Sequence, residues 1–259
     1  MKTIVETIVA ALRFGTVILA LFIMMIVIGI AALTNIKIKE IPLSGWLTRS
    51  LVIFVNLVLN VKIHVEDKEL FQNHHGFIFP NHTTFIDILV AFEITPVRFL
   101  AMAAVDKMPF IGSIARSIGC VFVNRKNKES RTAARDALID APKFPPMILY
   151  PEGYIQPPPT EISPLRYGAF EIAQDTDYSC LPCVLIYDKL DLVFWTEKNT
   201  FLVAWNFCKH MTRINVKVCP LPIVSPKPGD DIEKLAKETR QAMMDVLTHE
   251  HKLLGNIPS

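Results

Sequence analysis

Several signatures are missing from this chain of 259 residues, and each absence removes a class of function. No Gly-x-Ser-x-Gly run occurs, so no strand-to-helix elbow presents a serine nucleophile, and an α/β-hydrolase reading is poor. No His-Glu-x-x-His occurs, which removes the helical zinc-protease pattern. Cys180-Leu181-Pro182-Cys183 is a lone Cys-x-x-Cys, and a zinc site needs two further ligands at suitable spacing. The five cysteines are odd in number and scattered through a chain long enough to build its own core. Reduced, buried thiols are therefore expected rather than a disulfide framework. Charge of one sign is lacking as well. Lys and Arg number 27 against 25 Asp and Glu, a formal net charge of +2, without the basic excess of a nucleic-acid binder. There is neither an internal repeat nor a low-complexity segment.

What the chain has is apolar surface. Its hydrophobic fraction is 51%, at the upper edge for a soluble domain. From Phe14 to Leu33 no residue is charged. A helix of about 20 such residues matches the hydrocarbon thickness of a bilayer. The run is long for a cleaved signal peptide and no clear small-residue cleavage site ends it, so a retained anchor is expected. Lys2 and Arg13 precede the run while Lys37 and Lys39 follow it, which specifies orientation only weakly. A second apolar stretch, Leu51 to Val61, is too short to span comfortably and contains Asn56 and Asn60. It is expected to lie in the interface or to pack on the anchor. Residues 1–60 thus read as anchor plus interfacial helix, and 61–259 as the body.

The body alternates strands with helices. Val61 to Glu66 alternates apolar with polar residues, as a half-buried strand does. Further strands are predicted at Phe77–Phe79, Phe99–Ala104, Cys120–Val123, Met147–Tyr150, Cys183–Tyr187, Leu190–Trp195 and Val216–Cys219. Helices are predicted at Ile86–Glu93, at Met108–Ile118 with Pro109 early, at Arg131–Asp140 capped by Ser130, and at Tyr167–Asp175. A last helix opens on a capping pair, Asp230 and Glu233, and carries a stripe of Ile232, Leu235, Ala236, Thr239, Met243, Val246 and Leu247. Such alternation implies an α/β fold, a central sheet layered by helices.

The run Asn81-His82-Thr83-Thr84-Phe85-Ile86-Asp87 is the most informative local feature. A histidine is the side chain best suited to take a proton near neutral pH, and a carboxylate can hold its ring in one tautomer. Five residues apart on a straight helix, the two would point about 140° apart. They meet only if His82 lies in the turn before a helix and Asp87 in its first turn. Spacing alone leaves a second reading open, in which Thr84-x-x-Asp87 is a capping box and His82 an ordinary loop residue.

The other segments bear on that choice. The His82-to-Asp87 run resembles the H-x4-D motif of the glycerolipid acyltransferases, the lysophosphatidic-acid acyltransferase family. Lys107 to Gly112 with Gly119 to Arg125 is similar to that family's second block, and Tyr150-Pro151-Glu152-Gly153 to its third, P-E-G-T-R. Arg166-Tyr167-Gly168-Ala169-Phe170 with Leu181-Pro182-Cys183 resembles the K-x-G-A-F and proline-containing fourth block. Order and spacing agree over roughly Val61 to Pro222.

The resemblance implies a mixed sheet, a membrane location with the catalytic domain on the cytoplasmic face, and transfer of an acyl group from acyl-CoA or acyl-carrier-protein to a lysophospholipid hydroxyl. 1-Acylglycerol-3-phosphate is the first acceptor to consider. It implies no cofactor and no metal. His82 would be the general base and Asp87 its orienter. Arg125 would meet the acceptor phosphate, and Glu152 with Gly153 would form the acceptor-binding turn. Lys107 and Arg166 are further substrate-binding candidates. The chain departs from the family after Glu152-Gly153, where Tyr154-Ile155-Gln156 and three prolines replace Thr-Arg. That second arginine is absent, so the acceptor head group is open: a larger or less charged one, or a phosphate held by Arg125 with Arg166 or Lys126. A CoA-independent transacylase and a non-catalytic lipid-binding protein are the competing functions.

Overall fold

Seven of the short apolar runs join one sheet. The computed structural model describes residues 2–155, 158–194 and 200–256, so Gln156, Pro157 and Trp195 lie outside the described residues. Helix α1 (Lys2–Leu33) leads through a small hairpin, β1 (Lys37–Ile38) and β2 (Ile41–Pro42), into α2 (Leu43–Val58). The body follows as β3 (Val61–Val65), α3 (Lys68–Asn73), β4 (Gly76–Pro80), α4 (Ile86–Ile94), β5 (Arg98–Met102), α5 (Ala103–Asp106) and α6 (Ile111–Ser117). It continues as β6 (Val121–Val123), α7 (Lys128–Ile139), β7 (Met147–Ile148), α8 (Gly168–Thr176), β8 (Ser179–Tyr187), α9 (Leu190–Val193), α10 (Thr200–Lys209), β9 (Ile214–Pro220) and α11 (Ile232–Leu253).

The sheet order is β3-β9-β8-β4-β7-β5-β6. All neighbours are parallel except β8 and β9, so the sheet is mixed. Both faces are covered, so β4 and β8 are buried almost throughout, and successive side chains alternate between two cores. Phe77, Phe79, Val184 and Ile186 face a core shared with Phe170, Leu138, Met243 and Leu247 from α7, α8 and α11. Ile78, Leu181, Cys183, Leu185 and Tyr187 face the opposite core, shared with Ile86 and Val90 of α4 and with Leu51, Val52 and Val55 of α2. All five cysteines are free.

Among the described residues one helix, Ile4–Leu33, is long and apolar enough to cross a membrane. It does not stand apart from the body. Phe14 meets Phe201 and Trp205 edge to face, Phe22 meets Phe110, and Ala10, Ile28 and Ala31 are buried. Helix α2 packs on α1 with one face and leaves Ile53, Phe54 and Leu57 exposed on another. Its Asn56 is buried and donates to Glu93 at 2.7 Å, which accounts for a polar residue inside an apolar stretch.

Four local expectations fail for identifiable reasons. The predicted strand at Leu190–Trp195 is a short helix, Leu190–Val193. Strand β8 is already flanked by β4 and β9 and ends at Tyr187, and the chain turns into the short helix beyond it. Ser130 does not cap α7; the helix starts earlier, at Lys128, and Asn127 accepts from the Ser130 N–H at 2.8 Å. Asp231, rather than Asp230, caps α11, because the Asp230 carboxylate is taken by the Lys227 N–H. The helix expected from Met108 begins only at Ile111, since Pro109 is followed by Phe110 at a φ of 62°, outside the helical region.

Candidate functional site

The site gathers at the carboxyl ends of β4, β6 and β7, where the chain leaves three parallel strands of the sheet. Crevices outside such strand ends are where open α/β sheets bind ligands. Strand β4 delivers Asn81 and His82. The Asn81 amide clamps the neighbouring strand by accepting from the Leu185 N–H at 2.7 Å and donating to its carbonyl at 3.2 Å. The loop carrying His82 is thereby fixed to the middle of the sheet. Helix α4 then returns Asp87 towards it. The His82 Nδ1 lies 2.8 Å from Asp87 Oδ2, with 17% of the histidine side chain and none of the aspartate exposed. His82 Nε2 has no hydrogen-bond partner among the described residues and is the free end of the ring.

Asp87 is bound on every side. Oδ2 also accepts from the Thr83 N–H at 2.7 Å and the Thr84 N–H at 2.9 Å. Oδ1 accepts from the Tyr187 hydroxyl at 2.5 Å. The two readings left open by spacing therefore coexist in part. Asp87 makes the backbone half of a capping box with Thr84, but the Thr84 hydroxyl is buried without a partner.

Strand β7 delivers Tyr150 and Glu152. The Tyr150 ring stacks on His82, centroids 3.9 Å apart and planes 18° from parallel. Its hydroxyl is buried without a partner, and burial, aided by the Asp87 charge, holds its pKa well above the ordinary phenol value. Glu152, 4% exposed, accepts from the His82 N–H at 2.7 Å and from the Ser163 N–H at 2.8 Å. The Glu152 carboxylate thus ties the turn expected to bind the acceptor to the histidine turn. Burial raises its pKa; the two N–H donors and His82 act in the opposite sense and do not cancel it. Next to it Gly153 has a φ of +87°, the left-handed region that favours glycine, and a Cβ there would lie 2.4 Å from Arg166 Nε.

The remaining candidates sit around this centre. Arg166 points back over the turn, its Nε 3.4 Å from the Glu152 carbonyl and its guanidinium 5.6 Å from the centre of the Tyr154 ring. Arg125 follows β6. Desolvation, and then the like charge of Arg166, lower its pKa. Neither arginine forms an ion pair among the described residues. Two guanidiniums near each other without a carboxylate between them suit an anion. Lys107 ends α5 on the surface, and no contact ties its side chain to the other candidates.

Sequence reasoning missed Asn81, Tyr150 and Tyr187. The signal for Tyr187 was present in the run Leu181, Cys183, Leu185, Tyr187, whose parity puts the hydroxyl-bearing residue on the face that α4 covers.

Comparison with known proteins follows the same outline. Residues 62–186 match the family model described as Acyltransferase. A lysophospholipid acyltransferase of Arabidopsis thaliana is 24% identical over 178 residues, 65% of this chain and 44% of that protein. The lysophosphatidylcholine acyltransferase 2 of Homo sapiens is 25% identical over 179 residues, 66% of this chain and 32% of that protein. This chain therefore spans less than half the length of either. A putative 1-acyl-sn-glycerol-3-phosphate acyltransferase of Caenorhabditis elegans is 24% identical and covers 75% of this chain and 70% of its own length. The crystal structure of the 1-acyl-sn-glycerophosphate acyltransferase PlsC of Thermotoga maritima superposes with a TM-score of 0.73. It covers 96% of this chain and 97% of that one at 16% identity, a shared fold.

Proposed function

We propose that this chain, which carries an acyltransferase-family domain at residues 62–186, is a membrane-bound O-acyltransferase acting on a lysophospholipid. The observation that carries the reading is the 2.8 Å bond between His82 Nδ1 and the fully buried Asp87, which leaves Nε2 free at the carboxyl end of β4. Nε2 removes the proton from the acceptor hydroxyl, and Asp87 holds the ring and stabilises the imidazolium. The hydroxyl oxygen attacks the thioester carbonyl of acyl-CoA or acyl-carrier-protein. The tetrahedral intermediate collapses, the C–S bond breaks, and the imidazolium returns its proton to the departing thiolate. The products are an ester and a free thiol. Because the acceptor is itself the nucleophile, no serine is needed.

Arg125 and Arg166 are proposed to hold the acceptor phosphate. Arg166 takes the part of the arginine that the altered turn after Gly153 lacks. This favours a phosphate-bearing acceptor, 1-acylglycerol-3-phosphate first, which would give phosphatidic acid. Lys107 would serve only at the rim. Residues 1–60 would hold the catalytic domain, 61–259, at the cytoplasmic face of the bilayer, where both lipid substrate and product reside.

The test is release of CoA from one acyl-CoA by protein purified in detergent, across a panel of lysophospholipid acceptors. Release that depends on acceptor, is greatest with lysophosphatidic acid and vanishes in His82→Ala is expected. Full turnover in His82→Ala would remove the assignment. Acyl exchange between two phospholipids without CoA would replace the donor by a phospholipid and leave His82 in the same role.

A further inference from the structure

We propose that Tyr187 is a positioning residue that sets the orientation of the Asp87 carboxylate and so acts on the reaction through His82. The inference rests on the function proposed above. Asp87 Oδ2 receives three donors, His82 Nδ1 and the Thr83 and Thr84 N–H groups, all from the turn that α4 follows. Three bonds on one oxygen do not fix the other. Rotation about the Cβ–Cγ bond of an aspartate is soft and nearly two-fold. Tyr187 supplies the one bond to Oδ1 among the described residues, at 2.5 Å, from a different element. With one oxygen held by the turn and the other by the sheet, the carboxylate plane is defined, and with it the direction from which Oδ2 meets the imidazole.

Tyr187 is itself immobile enough for that task. It is 1% exposed, its backbone is registered to Val216 of β9, and its carbonyl accepts from Asn256 at 3.3 Å. Its phenol stays protonated, because burial and the Asp87 charge hold its pKa well above the ordinary value, and a protonated phenol is the donor this arrangement requires. A plain core role predicts a different outcome. A tyrosine that merely finds the nearest acceptor contributes to stability and leaves turnover in the folded protein alone.

The experiment is Tyr187→Phe in the full chain, compared with wild type, Asp87→Asn and the double variant. A hydrogen bond to a buried charge corresponds to roughly a 10-fold to 100-fold loss of kcat, with both KM values within about two-fold of wild type. In the Asp87→Asn background the same substitution is expected to cost roughly two-fold or less, since residues acting as one unit are not additive. A low-field imidazole N–H resonance of His82 is expected in wild type by proton NMR, and it is expected to move upfield in Tyr187→Phe. A folded Tyr187→Phe with wild-type kcat, or an equal loss in both backgrounds, overturns the proposal. Should Tyr187→Phe not fold, 3-fluorotyrosine placed at 187 strengthens the donor in the same shape. A changed kcat with a shifted His82 resonance supports the proposal, and no change in either overturns it. Full turnover in His82→Ala overturns the proposed function instead, so the two failures are distinguishable.

Discussion

The Tyr150 ring lies flat on the His82 ring at 3.9 Å while its own hydroxyl, buried, meets no partner. An aromatic face is a favourable neighbour for a ring that becomes cationic during the reaction. The orphaned hydroxyl is a cost, because a buried donor without an acceptor carries a desolvation penalty of about 1–3 kcal/mol. Tyr150→Phe is therefore expected to raise Tm by roughly 2–4 °C for each kcal/mol recovered, read by scanning calorimetry. Tyr150→Leu, which removes the stack, is expected to lower kcat.

Asp87→Asn keeps the shape and removes the charge. An amide leaves His82 without its anion, and its NH2 cannot accept the Thr83 and Thr84 donors. Turnover is expected to fall roughly 10²- to 10⁴-fold, as for loss of a general-base arrangement, with circular dichroism unchanged. Activity within a factor of about three of wild type would mean that the buried pair is structural.

Gly153→Ala tests the turn after β7. The left-handed backbone costs a non-glycine residue about 1–2 kcal/mol, and the new Cβ would meet Arg166 Nε at 2.4 Å. Arg166 must move. The expected result is a lower Tm together with a raised KM for phosphate-bearing acceptors and an unchanged KM for the acyl donor. A raised donor KM alone would place Arg166 on the thioester side.

The buried histidines give a pH dependence of stability. Burial lowers the pKa of His74, whose Nε2 bonds the Phe77 carbonyl at 2.8 Å, and of His251 below the ordinary 6.5. Between 6.5 and the lowered values the unfolded chain binds more protons than the folded one, so stability rises with pH across that window. Acidification below about 6.5 is expected to reduce Tm. His74→Gln is expected to flatten that slope, and thermal scans between pH 7 and 5 check it.

What could be seen in the sequence was local. The strand Val61–Val65 follows from alternation within one segment, and the helix after Phe85 and the long N-terminal helix from the length of their apolar runs. Spacing allowed the His82–Asp87 contact but left a capping reading beside it, and the other blocks of the chain favoured the contact. The inward use of Glu152 was not legible, because its partners, the His82 and Ser163 N–H groups, belong to other parts of the chain. Tyr187 is 100 residues from Asp87, and only the sheet order places β8 beside β4. The false strand at Leu190–Trp195 has the same origin: its local pattern suits a strand, but Leu190–Val193 forms a short helix beyond the end of β8.

The position of β9 bears on the order in which a ribosome delivers the parts. Strand β9 is the last to be synthesised, yet it lies between β3, the first of the sheet, and β8. Until Pro220 has emerged, β3 has no partner strand, and this first strand is joined to the rest through helices, with α2 packed on α4 and α1 on α6. The last strand then closes the sheet, so the first and the last of its strands to be made become neighbours.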